Sequence, residues 1–330
     1  MSSIPVIDIS PLWTLCDTDG SNTEVDQGLK DKVIQQIHQA CRDVGFFYLT
    51  GHGVEQSTMD NIFTVMKSFF ALPLATKNTI NIHNSESYRG YIETIHVQGS
   101  ERTLNVVDIR EGFYFNPDME NNQLPDEREL PGFADVIVAY SKQLNQLGLL
   151  MMKALAIGLQ LPENFFDEKF SKPTFETLAL MHYPPHPAET DSWGVGPHTD
   201  YGMCTFLLQD DVGGLEVEIT DGKWIEAKPI PGTFVVNLGD CLQAWTKGLY
   251  RATRHRVRRS IDTDRYSVPF FFNPKGDCLI EPIETDATKN LTIITTVKGL
   301  DMPFWYADLT RSLLQKSHDW SKDSPRPGTK

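Results

Sequence analysis

The chain has 330 residues, and its 44 acidic and 30 basic side chains give a formal net charge of −14. A surface this acidic repels phosphate backbones and anionic membranes, so we expect neither nucleic acid nor a membrane as a partner. No apolar run reaches the ~18 residues that a membrane helix needs, and the N-terminus lacks the pattern of a secretory signal, which predicts a cytoplasmic protein. The five cysteines include no CxxC pair, and their odd number argues against a disulfide framework.

The first part of the chain alternates short strands with helices. Residues 4–9 and 46–49 have the apolar pattern of strands, and residues 29–44 and 61–70 carry apolar side chains near helical spacing. Residues 80–130 show no period, and we expect an irregular region that covers a site. Residues 133–161 form the longest helical pattern, which predicts a helix that supports the rest.

After about residue 174 the pattern changes to short apolar runs separated by Gly, Pro and Asp. Evenly spaced strands of this kind predict an all-β sandwich or barrel. We expect three parts: an N-terminal α/β region over 1–125, a catalytic core with its long support helix over 126–315, and a flexible tail over 316–330. The predicted strands cover residues 178–183, 204–208, 214–219, 233–238, 255–258 and 266–272.

The segment Gly196-Pro-His-Thr-Asp-Tyr201 carries the first candidate site. Residues i and i+2 on a strand point to the same face, so His198 and Asp200 can present an imidazole and a carboxylate to one metal ion. Taken alone, the triplet is equally compatible with a turn that contains a hydrogen-bonded histidine. His255 lies in a strand-like segment downstream and supplies a third ligand. Two histidines and one carboxylate, with open positions left on the metal, characterise non-haem iron(II) sites.

Two further features accompany this triad. Arg265 and Ser267 are another i, i+2 pair, on the strand that follows the strand of His255. Tyr183 ends the strand that precedes the His-x-Asp segment. An arginine fork matches a carboxylate in two-point contact, and hydroxyl groups can donate further hydrogen bonds to it.

In this order and spacing, the residues resemble the superfamily of plant-type 2-oxoglutarate/Fe(II) dioxygenases and isopenicillin N synthase. The resemblance extends over most of the chain. It includes the segments Ile4-Pro-Val-Ile-Asp8, Gly45-Phe-Phe-Tyr-Leu-Thr-Gly-His-Gly53, Gly213-Gly-Leu-Glu-Val217, Val235-Val-Asn-Leu-Gly-Asp240 and 266–274. It implies a mainly β protein with α-helices, in which a distorted double-stranded β-helix, or jelly roll, has flanking helices.

The resemblance also implies the chemistry. His198, Asp200 and His255 match the iron(II) ligands, and no catalytic residue is expected beyond the metal centre. Arg265, Ser267 and Tyr183 match the residues that bind the distal carboxylate of 2-oxoglutarate. The expected reaction couples oxidative decarboxylation of this co-substrate to hydroxylation, desaturation or cyclisation of a small organic substrate. It uses O2, with ascorbate as an optional reductant.

The chain departs from the family pattern at Met181, two residues before Tyr183. Many plant members of the family have an asparagine at this position. The departure puts one hydrogen bond to the co-substrate in question.

The substrate itself cannot be read from the sequence, but some side chains are candidates for its pocket. Phe271 lies an even number of residues beyond Ser267 and therefore faces the same way, although core packing is an equally good interpretation. The others come from the irregular region, where anchoring of the loop is the alternative interpretation. They are Phe113, Phe115, Tyr91 and Arg89. We expect a monomer.

Two other functions remain open from the sequence. One is an oxidase of the same fold that does not use 2-oxoglutarate, because such enzymes can keep an Arg-x-Ser pair. The other is a metal-binding jelly roll without catalytic activity. Succinate released in step with substrate turnover distinguishes the dioxygenase from both.

Overall fold

The structure is a computed structural model, and it describes residues 3–15, 27–85, 88–93, 107–186, 192–220, 222–258 and 260–313. The tail expected at 316–330 lies outside the described residues. The helices are α1 (Gln27–Asp43), α2 (Gln56–Phe70), α3 (Leu74–Thr79), α4 (Phe133–Gly158) and α5 (Asp240–Trp245), and 3-10 turns cover Ser10–Leu15 and Ile82–Asn84.

The strands are short and concentrate in the second half of the chain. The first group is β1 (Val6–Asp8), β2 (Phe46–Thr50), β3 (Gly90–Ile92), β4 (Val107–Asp108), β5 (Glu111–Phe115), β6 (Thr177–Tyr183), β7 (Ser192–Trp193), β8 (Val195–His198) and β9 (Cys204–Gln209). The second group is β10 (Leu215–Thr220), β11 (Lys223–Glu226), β12 (Phe234–Leu238), β13 (His255–Val257), β14 (Arg265–Phe272), β15 (Leu279–Ile280), β16 (Thr296–Val297), β17 (Leu300–Asp301) and β18 (Phe304–Trp305).

Two sheets face each other. The major sheet has the strand order β1-β2-β12-β9-β14-β6-β5-β3, and the minor sheet has the order β11-β10-β13-β8. Met181 and Val235 of the major sheet share one buried cluster with Leu215 and Val257 of the minor sheet. Apolar side chains that meet between two sheets are the core of a sandwich. The predicted jelly roll with flanking helices is confirmed.

The other face of the major sheet packs against the helices. α4 is almost entirely apolar on its buried side, and it lies so close to β14 that a Cβ on Gly148 would come within 2.5 Å of the Phe272 ring. α1 and α2 pack against α4 in turn. Among the described residues, no helix combines the length and the apolar character needed to cross a bilayer.

The region predicted to be irregular contains regular strands in its described part. β3 and β5 pair with each other, and β5 also pairs with β6, so residues 111–115 form an inner strand of the major sheet. The prediction was wrong for these residues because both faces of β5 are covered. A strand with apolar or small residues on both sides lacks the alternation that identifies strands from sequence.

The alternation along β14 positions the site. Ser267 lies opposite Met181, and Phe271 lies opposite Thr177, so these residues share the face that looks toward the minor sheet. The side chains in between belong to the cluster under the helices. They are Val268, Phe270 and Phe272.

Candidate metal and co-substrate site

His198 and His255 come together because their strands pair. β13 runs antiparallel to β8, and His255 lies directly opposite His198 in the register. The two ring centroids are 4.2 Å apart and the rings are tilted by 53°. The strands between them in sequence return the chain to the same edge of the minor sheet, as the sequence predicts.

Asp200 reaches the histidines from a loop. The sequence predicts His198 and Asp200 on one strand, but β8 ends at His198 and Asp200 lies two residues beyond it, so this detail of the prediction was wrong. The backbone N–H of Asp240 donates to the carbonyl of Asp200 at 2.8 Å, and the N–H of Cys241 donates to the carbonyl of Tyr201 at 3.2 Å. These bonds turn the chain toward α5 and hold the loop in place.

The three ligand atoms converge. Oδ1 of Asp200 lies 3.8 Å from Nε2 of His198 and 3.7 Å from Nε2 of His255. Nδ1 of His198 is 2.8 Å from the carbonyl oxygen of Gly196, and Nδ1 of His255 is 3.1 Å from that of Thr253. A carbonyl only accepts, so each Nδ1 carries the proton and each Nε2 directs its lone pair toward Asp200.

The second oxygen of the Asp200 carboxylate is already engaged. Its Oδ2 accepts a hydrogen bond from the hydroxyl of Thr205 at 2.6 Å and another from the amide of Asn237 at 2.7 Å. Burial alone would raise the pKa of Asp200, but the neighbouring histidines and these two donors outweigh it and lower the pKa. Burial, together with His255, lowers the pKa of His198 to about 3. At neutral pH the site therefore presents a carboxylate and a neutral imidazole of His198.

This donor set fits iron(II). Two imidazole nitrogens and one carboxylate oxygen approach from one side, which is the arrangement of non-haem iron(II) oxygenases. Separations of 3.7 and 3.8 Å are too long for hydrogen bonds, so these groups do not satisfy one another and leave room for a cation between them. The hydrogen bonds of each Nδ1 and of Oδ2 fix the orientation of the ligands, as is usual around a protein-bound metal.

Arg265 and Ser267 lie on the same interior face, and each is only 1% exposed. The Nε of Arg265 donates to the carbonyl of Gly213, which anchors the guanidinium. Its terminal nitrogens make longer contacts of 3.4 Å, Nη1 to the hydroxyl of Ser267 and Nη2 to the amide oxygen of Gln209. The fork is thus fixed at its base, and its two ends remain able to meet a carboxylate.

Tyr183 lies beside this arginine, opposite Arg265 in the register of β6 and β14. The guanidinium carbon of Arg265 lies 4.7 Å from the centre of the Tyr183 ring. Met181 occupies the next interior position of β6 and lies opposite Ser267. Its thioether cannot donate a hydrogen bond, so β6 offers no donor at this position.

Two of the expected pocket residues lie on the interior face. Phe271 packs against the cluster between the sheets. Arg89 donates from Nη2 to the hydroxyl of Thr177 at 3.2 Å, and Thr177 lies opposite Phe271. Burial lowers the pKa of Arg89, and the nearby Tyr201 and Tyr114 act in the opposite direction. These residues form one wall near the Asp200 loop.

The three other candidates face away from the site, and the expectation that they line the pocket is corrected. Phe113, Phe115 and Tyr91 belong to the cluster under the helices. The ring of Phe69 on α2 lies 5.1 Å from that of Phe113 and 6.1 Å from that of Tyr91, measured between centroids. Because side chains alternate along β5, Tyr114 takes the interior side instead.

Four polar residues at the site were missed by sequence reasoning. Thr205 and Asn237 orient Asp200, Gln209 contacts Arg265, and Tyr114 lies on the interior face of β5. For Asn237 a signal was available, because an amide inside the apolar run Phe234–Leu238 needs a partner once it is buried. The others required knowledge of which strands are neighbours.

Comparisons with known proteins agree with this geometry. Residues 174–274 match the family model of the 2OG-Fe(II) oxygenase superfamily, and residues 4–132 match that of the N-terminal region of the non-haem dioxygenase in morphine synthesis. The homoarginine-6-hydroxylase 2-ODD-233 of Oryza sativa subsp. japonica is 36% identical over 302 residues, which cover 86% of this chain and 89% of the relative. The 1-aminocyclopropane-1-carboxylate oxidase of Dictyostelium mucoroides is 32% identical over 319 residues, covering 83% and 82%.

A solved structure is also similar over nearly the whole chain. It is that of a full-length protein of Neurospora crassa in complex with α-ketoglutarate, that is, 2-oxoglutarate. It superposes with a TM-score of 0.80 at 28% identity and covers 95% of this chain and 96% of that one. A further structure of the same Neurospora crassa protein contains thymine in addition to the co-substrate.

Proposed function

The chain belongs to the 2OG-Fe(II) oxygenase superfamily, and on this premise we propose that His198, Asp200 and His255 are its iron(II) ligands. The observation that carries the proposal is the convergence of two Nε2 atoms on one carboxylate oxygen at 3.7 and 3.8 Å. Both imidazoles are held in the tautomer that a metal requires. The proposed iron therefore lies at the open edge of the minor sheet, facing the interior of the jelly roll.

We propose that Arg265, Ser267 and Tyr183 bind the distal carboxylate of 2-oxoglutarate. Arg265 is buried and held by Gly213, so it offers a fixed positive charge without a carboxylate partner in its described contacts. Ser267 adds a hydroxyl beside it, and Tyr183 adds a second one from the neighbouring strand. A buried charge of this kind is costly unless a ligand neutralises it.

When bound, iron(II) and 2-oxoglutarate supply the oxidising chemistry with O2. The residues around them orient the bound groups and exclude water. Thr205 and Asn237 keep the second oxygen of Asp200 occupied, so that the first faces the metal position. Arg265 fixes one end of the co-substrate. The apolar cluster between the sheets keeps bulk water from this end of the site.

We propose that Phe271 and Arg89 line the pocket of a small organic substrate, and Tyr114 joins them. Phe271 offers an apolar surface, and Arg89 and Tyr114 offer hydrogen-bond donors on the same interior face. The name of one relative refers to homoarginine hydroxylation, and a structure of the similar Neurospora crassa protein contains thymine. By analogy we propose a small polar substrate that is hydroxylated, or is desaturated or cyclised.

We also propose that the protein acts as a cytoplasmic monomer that does not bind nucleic acid. The net charge of −14 supports the last point, because it opposes association with phosphate backbones. The proposed division of the chain is an N-terminal α/β region over 1–125, a catalytic core over 126–315 and a tail over 316–330. The strands of the N-terminal region extend the major sheet on both sides, so the first two parts share one sheet.

The proposed function is tested by succinate formation. Purified chain is incubated with iron(II), ascorbate, O2 and 2-oxoglutarate, and succinate is measured with and without a panel of small polar substrates. We expect slow succinate formation alone and a faster rate with a substrate. His255→Ala should abolish both rates, and Arg265→Gln should raise the concentration of 2-oxoglutarate needed. Substrate oxidation without succinate would instead indicate an oxidase that does not use 2-oxoglutarate.

A further inference from the structure

A second arginine, Arg110, lies at the edge of the proposed co-substrate site. It directly precedes β5, and because Glu111 pairs with His182, Arg110 comes next to Tyr183. The alternation of β5 places it on the interior face together with Tyr114. Tyr183 thus has Arg265 on one neighbouring strand and Arg110 beside the other.

The contacts of Arg110 leave part of its guanidinium unused. Nη1 lies 3.8 Å from the sulfur of Met181, which is a weak acceptor. Nε is buried and has no hydrogen-bond partner among the described residues. Burial opposes the charge, but Tyr114, Tyr183 and Asp108 outweigh it and raise the pKa of Arg110. The group is therefore a charged donor that is aimed into the site and incompletely satisfied.

The chain beside Arg110 contacts the strand that carries the first proposed metal ligand. Asp108 pairs with Trp193, and its carboxylate accepts a hydrogen bond from the N–H of Gly196 at 3.0 Å. The carbonyl of the same Gly196 holds Nδ1 of His198. Two residues before Arg110, the chain thus contacts the same glycine that holds the ring of His198.

A 2-oxo dicarboxylate has two anionic ends, and the site has two arginines placed to meet them. Arg265 and Ser267 are proposed to hold the distal carboxylate, which leaves the carboxylate next to the 2-oxo group nearer the metal. Met181 offers this carboxylate no donor, and Nη1 of Arg110 lies 3.8 Å from the Met181 sulfur. We propose that Arg110 donates to the carboxylate of 2-oxoglutarate nearest the metal and thereby positions the co-substrate. This inference rests on the proposed function.

Ligand affinity tests this role without depending on catalysis. The chain is loaded with iron(II) in the absence of O2, and dissociation constants are measured from the visible charge-transfer band. One ligand is 2-oxoglutarate, and the other is 2-oxovalerate, which keeps the 2-oxo acid but lacks the distal carboxylate. The variants are Arg110→Gln, Arg110→Lys and Arg265→Gln. Arg258→Gln is the matched control, because it removes one guanidinium charge outside the proposed site, at the end of β13, where Arg258 pairs with Glu226 at 2.8 Å.

We expect Arg110→Gln to weaken both ligands by a similar factor, roughly 10- to 100-fold, since one charge-assisted hydrogen bond is lost in each case. Arg110→Lys should recover part of the loss because the positive charge remains. Arg265→Gln should weaken the binding of 2-oxoglutarate alone, and Arg258→Gln should leave both dissociation constants unchanged. Thermal unfolding followed by circular dichroism shows whether each variant is folded.

Three outcomes would overturn the inference. Arg110→Gln could bind both ligands like the unmodified chain, it could weaken the binding of 2-oxoglutarate alone, or Arg258→Gln could produce the same loss. The second outcome would assign Arg110 to the distal carboxylate, and the third would indicate a general effect of charge. Failure of the unmodified chain to bind 2-oxoglutarate would overturn the proposed function itself, which is a different result.

Discussion

Alternate residues of β14 face two different environments. Arg265 and Ser267 face the space between the sheets, which also contains the proposed metal ligands, whereas Phe270 and Phe272 face the helices. β5 shows the same contrast, with Tyr114 on the interior side and Phe113 on the helix side. One set of strands thus carries a polar binding surface and a packed apolar core, separated only by the thickness of the sheet. Substitutions on the two faces should therefore separate function from stability.

The largest loss of activity is expected from a substitution at the proposed metal site, on the interior side of the sheet. His255→Ala removes one of the three proposed ligands. Loss of a residue that only supports a ligand costs roughly 10- to 100-fold in metal affinity, and loss of a ligand itself should cost more. We expect no measurable succinate formation and a large loss of iron affinity, measured by competition with a chelator. His186→Ala removes a partly exposed histidine outside the triad and should bind iron normally. Equal iron affinity in the two variants would contradict the triad.

The largest effect on stability is expected on the helix side. Phe113→Ala empties a site that is 0% exposed beside Phe69 and Phe133, so the free energy of unfolding should fall by roughly 3–5 kcal/mol. Denaturant titration measures this loss. In the folded fraction, the dissociation constant of 2-oxoglutarate should stay unchanged. Tyr114→Phe, on the other face of the same strand, should change stability by less than about 1 kcal/mol. Weaker binding of 2-oxoglutarate to folded Phe113→Ala would contradict the prediction that the helix side affects stability and not co-substrate binding.

Removal of the arginine that is proposed to bind the co-substrate should have an intermediate effect. Arg265→Gln takes away the positive charge but keeps a hydrogen-bonding side chain, and we expect 2-oxoglutarate to bind roughly 10- to 100-fold more weakly. The iron affinity should not change, because Arg265 is proposed to touch no metal ligand. Parallel titrations with iron(II) and with 2-oxoglutarate measure both values. If iron affinity fell as much as co-substrate affinity, the substitution would have disrupted the structure of the whole site.

A residue that orients a ligand should have a smaller effect than the ligand itself. Asn237→Ala removes one of the two donors to Oδ2 of Asp200, which leaves Thr205 in place. We expect iron to bind about 10-fold more weakly. Asn237→Asp serves as a second variant, because it would add a negative charge beside Asp200. Its loss of iron affinity should differ between low and high pH. Unchanged iron affinity in Asn237→Ala would show that Thr205 alone orients the carboxylate.

The smallest effect on the affinity for 2-oxoglutarate is expected at Arg89, one of the residues proposed to line the substrate pocket. Arg89→Gln should leave the dissociation constant of 2-oxoglutarate unchanged and alter only the acceleration of succinate formation by substrates. The measurement is the ratio of rates with and without the substrate panel. An unaltered ratio for every accelerating substrate would remove Arg89 from the pocket.

Much of the fold could be predicted from sequence because its signals are local. The helical spacing before Gly45 and after Phe133, and the evenly spaced strands beyond residue 174, each reflect burial of one side of an element. The metal triad could be predicted because its residue types are rare in combination. The strand pairing of His198 with His255 then follows from the jelly roll that the family resemblance implies.

The faces of β5 could not be predicted, and the reason is physical. Alternation tells which residues share a side, but it does not tell which side is interior when both are covered. Phe113 and Phe115 were expected in the pocket because they lie in the region predicted to be irregular, yet they complete the core under the helices. Asn237 and Gln209 were missed for a related reason, because their roles depend on neighbours from distant strands. Tertiary pairing, rather than residue type, decides both cases.

The most direct test of the proposed function is the visible spectrum of the chain with iron(II) in the absence of O2, before and after addition of 2-oxoglutarate. We predict a charge-transfer band that appears with 2-oxoglutarate, is absent in His198→Ala, and requires more co-substrate in Arg265→Gln. Iron binding without a band at saturating 2-oxoglutarate would contradict the co-substrate site. No loss of iron binding in His198→Ala would contradict the metal site itself.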